Sequence, residues 1–235
     1  MPIDGGAIGL KIAIDLVKRP ATSGLARVHT WLTGHEVLIL GPARAGKTSF
    51  VDYLRYGVLE PEQETEKTLD VETTATFRVK IGRDASLELR VKRAVDVAGQ
   101  VGPIEHARIA EKRRPHALIV LLDLSAPITG TSDRASGPWL IEFCKYLDEG
   151  LRMNTAMRKR LRTIIFVANK RDTQTGDSAT KRIEGFRKII KRHLSTSLAT
   201  KVDSIPIMPC SLIQCDDAVS FADAVIVRLA KALSE

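Results

Sequence analysis

A glycine-rich segment, residues 41–48, constrains the fold of this chain more than any other feature. It reads GPARAGKT and fits the pattern G-x-x-x-x-G-K-[ST] at every fixed position. An apolar run of strand length, residues 37–40, precedes the segment, and a helix-compatible run, residues 49–56, follows it. This strand–loop–helix order predicts a loop whose backbone N–H groups wrap around phosphate groups.

The residue types in this segment suit a nucleotide and a divalent cation. Gly41 and Gly46 allow the tight backbone path that turns successive N–H groups inward. We expect Lys47 to reach the β- and γ-phosphates, and the Thr48 hydroxyl to ligate Mg²⁺. The other residues of the segment that we expect to contact the nucleotide are Ala43, Arg44, Ala45 and Ser49.

Composition places the chain among ordinary globular proteins. Its 235 residues suffice for one large domain, or for one domain with extensions, and 44% of them are hydrophobic. The net charge of +8 favours acidic partners, namely nucleotides, nucleic acid or anionic lipid, without choosing among them. The three cysteines form no C-x-x-C pair, which predicts buried free thiols.

We expect a cytoplasmic protein, because the sequence carries no recognisable targeting signal. No apolar run approaches the roughly 18 residues that a membrane span needs. The N-terminus lacks the basic region of a signal peptide, and neither terminus carries a lipidation motif.

Apolar runs of strand length alternate with longer helical patterns. The predicted strands are residues 36–40, 73–80, 87–95, 117–124, 163–168 and 205–209. The predicted helices are residues 47–56, 105–113, 137–151, 179–198 and 218–233. Such alternation predicts an α/β fold, a mostly parallel sheet with helices on both faces. The second and third strands read instead as an antiparallel hairpin.

Two segments lie outside this pattern. Residues 1–35 form an N-terminal extension, in which apolar residues between 10 and 17 predict a short helix ended by Pro20. That helix would pack on the domain, or contact a membrane surface or a partner. Residues 152–162 are rich in arginine and lysine, and would form a solvated basic face or contact an acidic surface.

A second motif, DVAGQ, follows the strand that ends at residue 95. An aspartate at a strand end, Asp96, can hold Mg²⁺ through water. The backbone N–H of Gly99 can approach the γ-phosphate, and Gln100 can orient an attacking water. After a phosphate-binding loop, these residues indicate a hydrolysing site.

A third motif, NKRD, follows the strand 163–168 and indicates the base. The carboxylate of Asp172 can accept hydrogen bonds from guanine N1–H and N2–H₂, a donor pair that adenine lacks. Asn169 and Lys170 complete the motif. Guanine nucleotide, GTP or GDP, is therefore the predicted ligand.

In this order and at strand ends, the three motifs resemble those of the Ras-like small GTPases, over residues 36–233. The resemblance implies a three-layer P-loop NTPase fold, with a six-stranded, mostly parallel sheet and one antiparallel strand, in a G domain of residues 36–235. It implies that Ser211 and Leu212 form a loop that contacts guanine. It also implies a switch threonine that binds Mg²⁺ and the γ-phosphate, for which we choose Thr68. The rival threonines are Thr65, Thr73 and Thr74.

The chain departs from this family inside and beside the motifs. Ala43 and Arg44 occupy positions where many Ras-like proteins have glycine. The Ala43 side chain could crowd the hydrolytic water, while Arg44 either supplies positive charge to the transition state or points to solvent. Val101, which is apolar, and Pro103, which restricts the backbone, follow Gln100. These residues distinguish the second switch of this chain from that of the family.

Two functions remain from the sequence. The first is a molecular switch that slowly hydrolyses GTP and contacts effectors and regulators through two switch regions. The second is a GTP- or GDP-binding module with little or no turnover. Nucleic-acid binding is disfavoured, because the few aromatic residues form no stacking platform between the basic ones.

Overall fold

The structure, a computed structural model, describes residues 14–16, 35–56, 71–81, 85–96, 102–129, 135–194, 204–212 and 218–234. The strands are β1 Ile14–Leu16, β2 His35–Leu40, β3 Val71–Ile81, β4 Ala85–Asp96, β5 Ala117–Asp123, β6 Thr163–Asn169 and β7 Ile207–Pro209. The helices are α1 Lys47–Tyr56, α2 Pro103–Arg113, α3 Ser136–Met153, α4 Thr155–Arg160, α5 Gly176–Leu194 and α6 Ala218–Ser234.

All seven strands belong to one sheet, in the order β1-β3-β4-β2-β5-β6-β7. Strands β4, β2, β5, β6 and β7 are mutually parallel. Strand β3 is antiparallel to β4, which confirms the predicted hairpin, and β1 is antiparallel to β3. The β5–β6 register runs from Ala117 opposite Thr163 to Asp123 opposite Asn169, so these two strands end in one row.

The predicted strand number was wrong. In the described part of the chain the sheet has seven strands rather than six, and β3 makes two antiparallel pairings, one with β4 and one with β1. The difference comes from β1, which lies in the N-terminal extension and pairs with β3. A strand edge presents unpaired N–H and C=O groups, and an added strand satisfies them.

The predicted helix between residues 10 and 17 was also wrong where the structure describes that segment. Ile14–Leu16 is a strand, with Ile14 opposite Val79 and Leu16 opposite Phe77. The sequence explains this locally, since Ile14, Asp15 and Leu16 alternate between apolar and polar with the two-residue period of a strand. Over so short a run, this alternation cannot be distinguished from the spacing of apolar residues every three or four positions that marks a helix.

Helices cover both faces of the parallel strands, as predicted. On one face α1 and α6 pack on alternate residues of the strands, such as Val37 and Ile39 of β2. On the other face α2, α3 and α5 pack on the intervening residues, such as Leu38 and Leu40. Every residue of β5 is buried. Strands covered on both faces read as continuous apolar runs, and this explains why the sequence identified them.

A short helix in the basic segment was not anticipated. Helix α4 occupies residues 155–160 and begins at Asn154, whose side chain accepts a hydrogen bond from the backbone N–H of Met157 over 3.0 Å. Met157 is fully buried, whereas the basic residues of α4 are exposed. One buried residue in so short a segment gives no periodic signal.

The cysteines follow the prediction as far as the structure describes them. Cys144 and Cys210 are free and buried, and burial raises the pKa of the Cys144 thiol. Cys215 lies outside the described residues. Among the described helices, none is long and apolar enough to cross a membrane.

Two histidines meet where the parallel strands begin. The ring of His35, which is 8% exposed, lies edge-on to that of His116 with centroids 4.8 Å apart. The backbone N–H of Glu36 donates to His116 Nδ1 over 3.0 Å. The Nε–H of Arg160 lies 3.3 Å from Nε2 of His116. A neutral imidazole accepts at one nitrogen only, so Glu36 and Arg160 do not both donate to the ring at the same time. Burial, aided by Arg160, His35 and Arg162, lowers the pKa of His116 to about 4. Burial also lowers the pKa of His35.

We therefore expect acid to destabilise the fold through this pair. His116 takes up its proton near pH 6.5 in the unfolded chain but only near 4 in the folded one, so the free energy of unfolding falls as the pH drops through that window. The Glu36 carboxylate beside this pair contacts Arg113 and Arg160. Urea unfolding of the wild type and of His116→Asn, measured above and within the window, checks this. The asparagine side chain can still accept a hydrogen bond from the backbone N–H of Glu36, but it does not titrate. If the free energy of unfolding changed equally with pH in the two proteins, the expectation would be contradicted.

Candidate nucleotide-binding site

The loop of residues 41–48 leaves the C-terminal end of β2 with the backbone that the motif predicts. Gly41, Arg44 and Gly46 have φ values of 147°, 62° and 91°. A Cβ on Gly41 would clash with the carbonyl oxygen of Leu121, and a Cβ on Gly46 would clash with the side-chain amide of Asn169. Both glycines are therefore required by conformation and by close approach.

Lys47 lies over the loop and is only 6% exposed. Its Nζ donates to the carbonyl oxygens of Gly41 over 3.1 Å and Pro42 over 2.9 Å. The ammonium group is thus held inside the loop at the start of α1, where the helix dipole is also positive. Two sources of positive charge at one point suit a phosphate group.

Asn169, the last residue of β6, connects the loop to the end of β7. Its Nδ2 donates to the carbonyl oxygen of Ala45 over 2.9 Å, and its Oδ1 accepts from the backbone N–H of Leu212 over 3.1 Å. The side chain is 3% exposed, so both hydrogen bonds are buried. One amide therefore fixes the distance between the phosphate-binding loop and the loop after β7.

Lys170 is held by an acid that the sequence reasoning missed. Lys170 has a φ of 63°, and its Nζ donates to Oδ2 of Asp123 over 2.7 Å. The other oxygen of Asp123 accepts from the backbone N–H and the hydroxyl of Ser125, over 2.7 Å and 2.6 Å. The sequence did carry a signal for Asp123, because this aspartate ends an otherwise apolar strand, β5, which pairs with the strand that precedes the 41–48 loop. Because β5 and β6 end in register, that position adjoins the NKRD motif.

Asp172 and Ser211 meet across the site. The Ser211 hydroxyl donates to Oδ1 of Asp172, and the backbone N–H of Arg171 donates to the carbonyl oxygen of Cys210 over 3.0 Å. Asp172 is exposed, while Ser211 and Leu212 are buried. The structure thus brings together the motif after β6 and the segment after β7.

The remaining predicted residues divide into those that the structure describes and those that it does not. Ala43, Arg44 and Ser49 are exposed, and Thr48 is half-buried in the first turn of α1. Asp96 ends β4 with its Cα paired to that of Ile39, two residues before the loop begins. The predicted residues outside the described part of the chain are Thr68, Gly99 and Gln100.

These positions fit a nucleotide with a hard cation. The donors, Lys47 and the N-terminus of α1, lie on the phosphate side, and the hydroxyl residue Thr48 and the acid Asp96 lie at the same edge of the sheet. The fold and the site define an α/β protein with a strand–loop–helix of the phosphate-binding kind.

Comparisons with known proteins add a likeness of fold. No protein-family model and no curated protein matches the sequence. Two similar structures are those of translation elongation factor SelB from Methanococcus maripaludis. The complex with the GTP analogue GPPNHP is 14% identical with a TM-score of 0.46, and the likeness covers 83% of this chain and 33% of that one. The apo form is 15% identical with a TM-score of 0.49, covering 86% and 33%. This chain spans about a third of the length of the SelB chains.

We expect Asn169→Ala to weaken the whole fold. The change leaves the carbonyl oxygen of Ala45 and the N–H of Leu212 buried without their partner. The loss in the free energy of unfolding should be about 2–4 kcal/mol, the cost of two unsatisfied buried groups. Urea unfolding measures it. Asn154→Ala is a matched control that removes only a helix cap, for about 1 kcal/mol. Equal losses in the two variants would contradict the assigned role.

Proposed function

We propose that this chain binds GTP and GDP with Mg²⁺ and acts as a guanine-nucleotide switch that slowly hydrolyses GTP. The observation that carries the proposal is the Asn169 side chain, which joins Ala45 of the phosphate-binding loop to Leu212. A phosphate-binding element and a base-reading element are thereby held at a fixed spacing, as a single nucleotide spanning both would need.

On the phosphate side, the proposed roles follow from position. Lys47 and the backbone N–H groups of the loop would bind the phosphates. Thr48 and Asp96 would hold Mg²⁺, which when bound bridges the phosphates and offsets their charge. Thr68 would join them in the triphosphate state.

On the base side, the Asp172 carboxylate would accept from guanine N1–H and N2–H₂. The hydroxyl of Ser211 supports this carboxylate by donating to one of its oxygens. Lys170, which Asp123 holds by an ion pair, would pack along the base and its sugar. An adenine at the same place would leave the carboxylate facing an acceptor, which is the basis of the proposed selectivity.

Hydrolysis would depend on Gln100 to orient the water, with Gly99 donating to the γ-phosphate. The segments around Thr68 and Gly99 would be ordered by the triphosphate and released by hydrolysis, so that effectors and regulators distinguish the two states. Arg44 is exposed on the loop in a left-handed conformation, from which its guanidinium could add charge near the phosphates.

The base preference has a direct test. GTP should bind at least about a hundredfold more tightly than ATP, because unpaired buried polar groups discriminate strongly. Asp172→Ala should remove that preference, while Asp177→Ala, an exposed carboxylate on α5, should keep it. Isothermal titration calorimetry with both nucleotides measures the affinities. Comparable affinity of the wild type for GTP and ATP would refute the guanine assignment.

Turnover distinguishes the switch from the second candidate, a nucleotide-binding module with little or no hydrolysis. The side chain of Ala43, exposed on the loop where many Ras-like proteins have glycine, motivates that alternative. In a single-turnover assay with bound GTP and Mg²⁺, Gln100→Leu should slow hydrolysis by at least about tenfold if Gln100 orients the water. No turnover in either protein, with binding intact, would favour the module.

A further inference from the structure

The end of the sheet opposite the nucleotide site is strongly basic. Strands β2, β5 and β6 begin there, and helices α2, α3 and α4 end there, because helices that connect parallel strands run back along the sheet. We name a group of exposed cations at this end the basic pole. They are Lys112, Arg114, Arg152, Arg158, Lys159, Arg160 and Arg162.

Contacts between elements hold the basic pole together. The carboxylate of Glu36 lies 3.9 Å from Arg113 at the end of α2 and 3.8 Å from Arg160 at the end of α4. The backbone N–H of Arg162 donates to the carbonyl oxygen of His116 over 2.8 Å, which fixes the start of β6 beside that of β5. The cations of α2, α4 and the β6 start are therefore parts of one surface.

Two acids of this surface lie deeper than the cations they pair with, whereas Glu149, one turn before Met153 on α3, is exposed. The Asp148 side chain is 9% exposed and its partner Arg152 is 53% exposed, with 3.5 Å between them. The Glu36 side chain is 17% exposed, against 43% for Arg160. Helix dipoles favour cations at helix ends. Arg114 caps the end of α2, and the guanidinium of Arg162 donates to the carbonyl oxygen of Leu233 in the last turn of α6 over 2.9 Å. The exposed cations still outnumber the exposed acids of this surface.

One large apolar side chain is exposed beside these cations. Met153 is 80% exposed at the junction of α3 and α4, next to Arg152 and just before the cap of α4. Four residues further on, Met157 is fully buried. An apolar side chain exposed beside cations contributes nothing to the core, and it can insert where the cations meet a membrane interface.

We propose that the basic pole docks on the surface of an anionic lipid bilayer, with its cations at the headgroups and Met153 inserted at the boundary of the acyl chains. Basic side chains near an anionic membrane gain free energy individually, and a projecting apolar group adds burial that no phosphate backbone offers. A single-stranded nucleic acid would instead favour stacking groups between the cations. The exposed ring on α3, Tyr146, lies two turns before Met153 and not among the cations of the basic pole. The inference rests on this surface alone and not on the proposed nucleotide chemistry.

Vesicle flotation of the full chain tests the inference. The protein should float with phosphatidylserine–phosphatidylcholine vesicles and not with pure phosphatidylcholine, and added salt should weaken the binding. The double variant Arg158→Glu/Lys159→Glu should lower the partition coefficient at least about tenfold. The control Lys181→Glu/Lys188→Glu makes the same change in net charge on α5, which contributes no residue to the basic pole, and should bind nearly as the wild type does.

A second variant separates lipid from other polyanions. Met153→Ser should weaken binding to anionic vesicles several-fold, as expected for an inserted apolar group, while leaving any binding to single-stranded RNA unchanged. Flotation that is insensitive to the α4 double variant, or equally sensitive to the α5 control, would overturn the proposal. So would a wild type that binds RNA and ignores anionic vesicles.

Discussion

The side chain of Asn169 is the contact on which the site depends. Its two ends satisfy buried backbone groups from segments more than forty residues away along the chain, Ala45 and Leu212, with hydrogen bonds of 2.9 Å and 3.1 Å. Gly46 has no side chain where this amide approaches, so the glycine of the loop and the asparagine of the β6 end require each other. The motif residues are thus coupled structurally before any ligand is considered.

A second buried contact fixes the helix that carries the loop. Tyr53 of α1 donates its hydroxyl hydrogen to the carboxylate of Asp223 on α6, and both side chains are nearly inaccessible. Burial raises the pKa of Tyr53 and of Asp223. Leaving either group unpartnered in that place would cost about 1–3 kcal/mol, so this contact couples the positions of α1 and α6.

The sequence predicted the elements that have a regular apolar pattern and the motifs that have a fixed spacing. Continuous apolar runs identified β5 and β6, and the 41–48 and NKRD motifs identified the loop and its companion, because each depends on neighbours in sequence. It missed Asp123, whose role arises from the register of two strands, and α4, which has a single buried residue. It assigned a helix to the residues that form β1, because the alternation of only three residues cannot be told from helical spacing. Tertiary pairing decides such short segments.

The proposed nucleotide site and the basic pole lie at opposite ends of the sheet. The proposed nucleotide site lies where the parallel strands end, and the basic pole lies where they begin. β5 has seven residues. At about 3.3 Å per residue, such a strand keeps the two ends more than roughly 20 Å apart. A protein docked by the basic pole would hold its nucleotide site away from the bilayer and open to solvent. Charge reversal on α4 should therefore alter membrane attachment without altering nucleotide affinity, since exposed charges separated by more than about two Debye lengths scarcely interact.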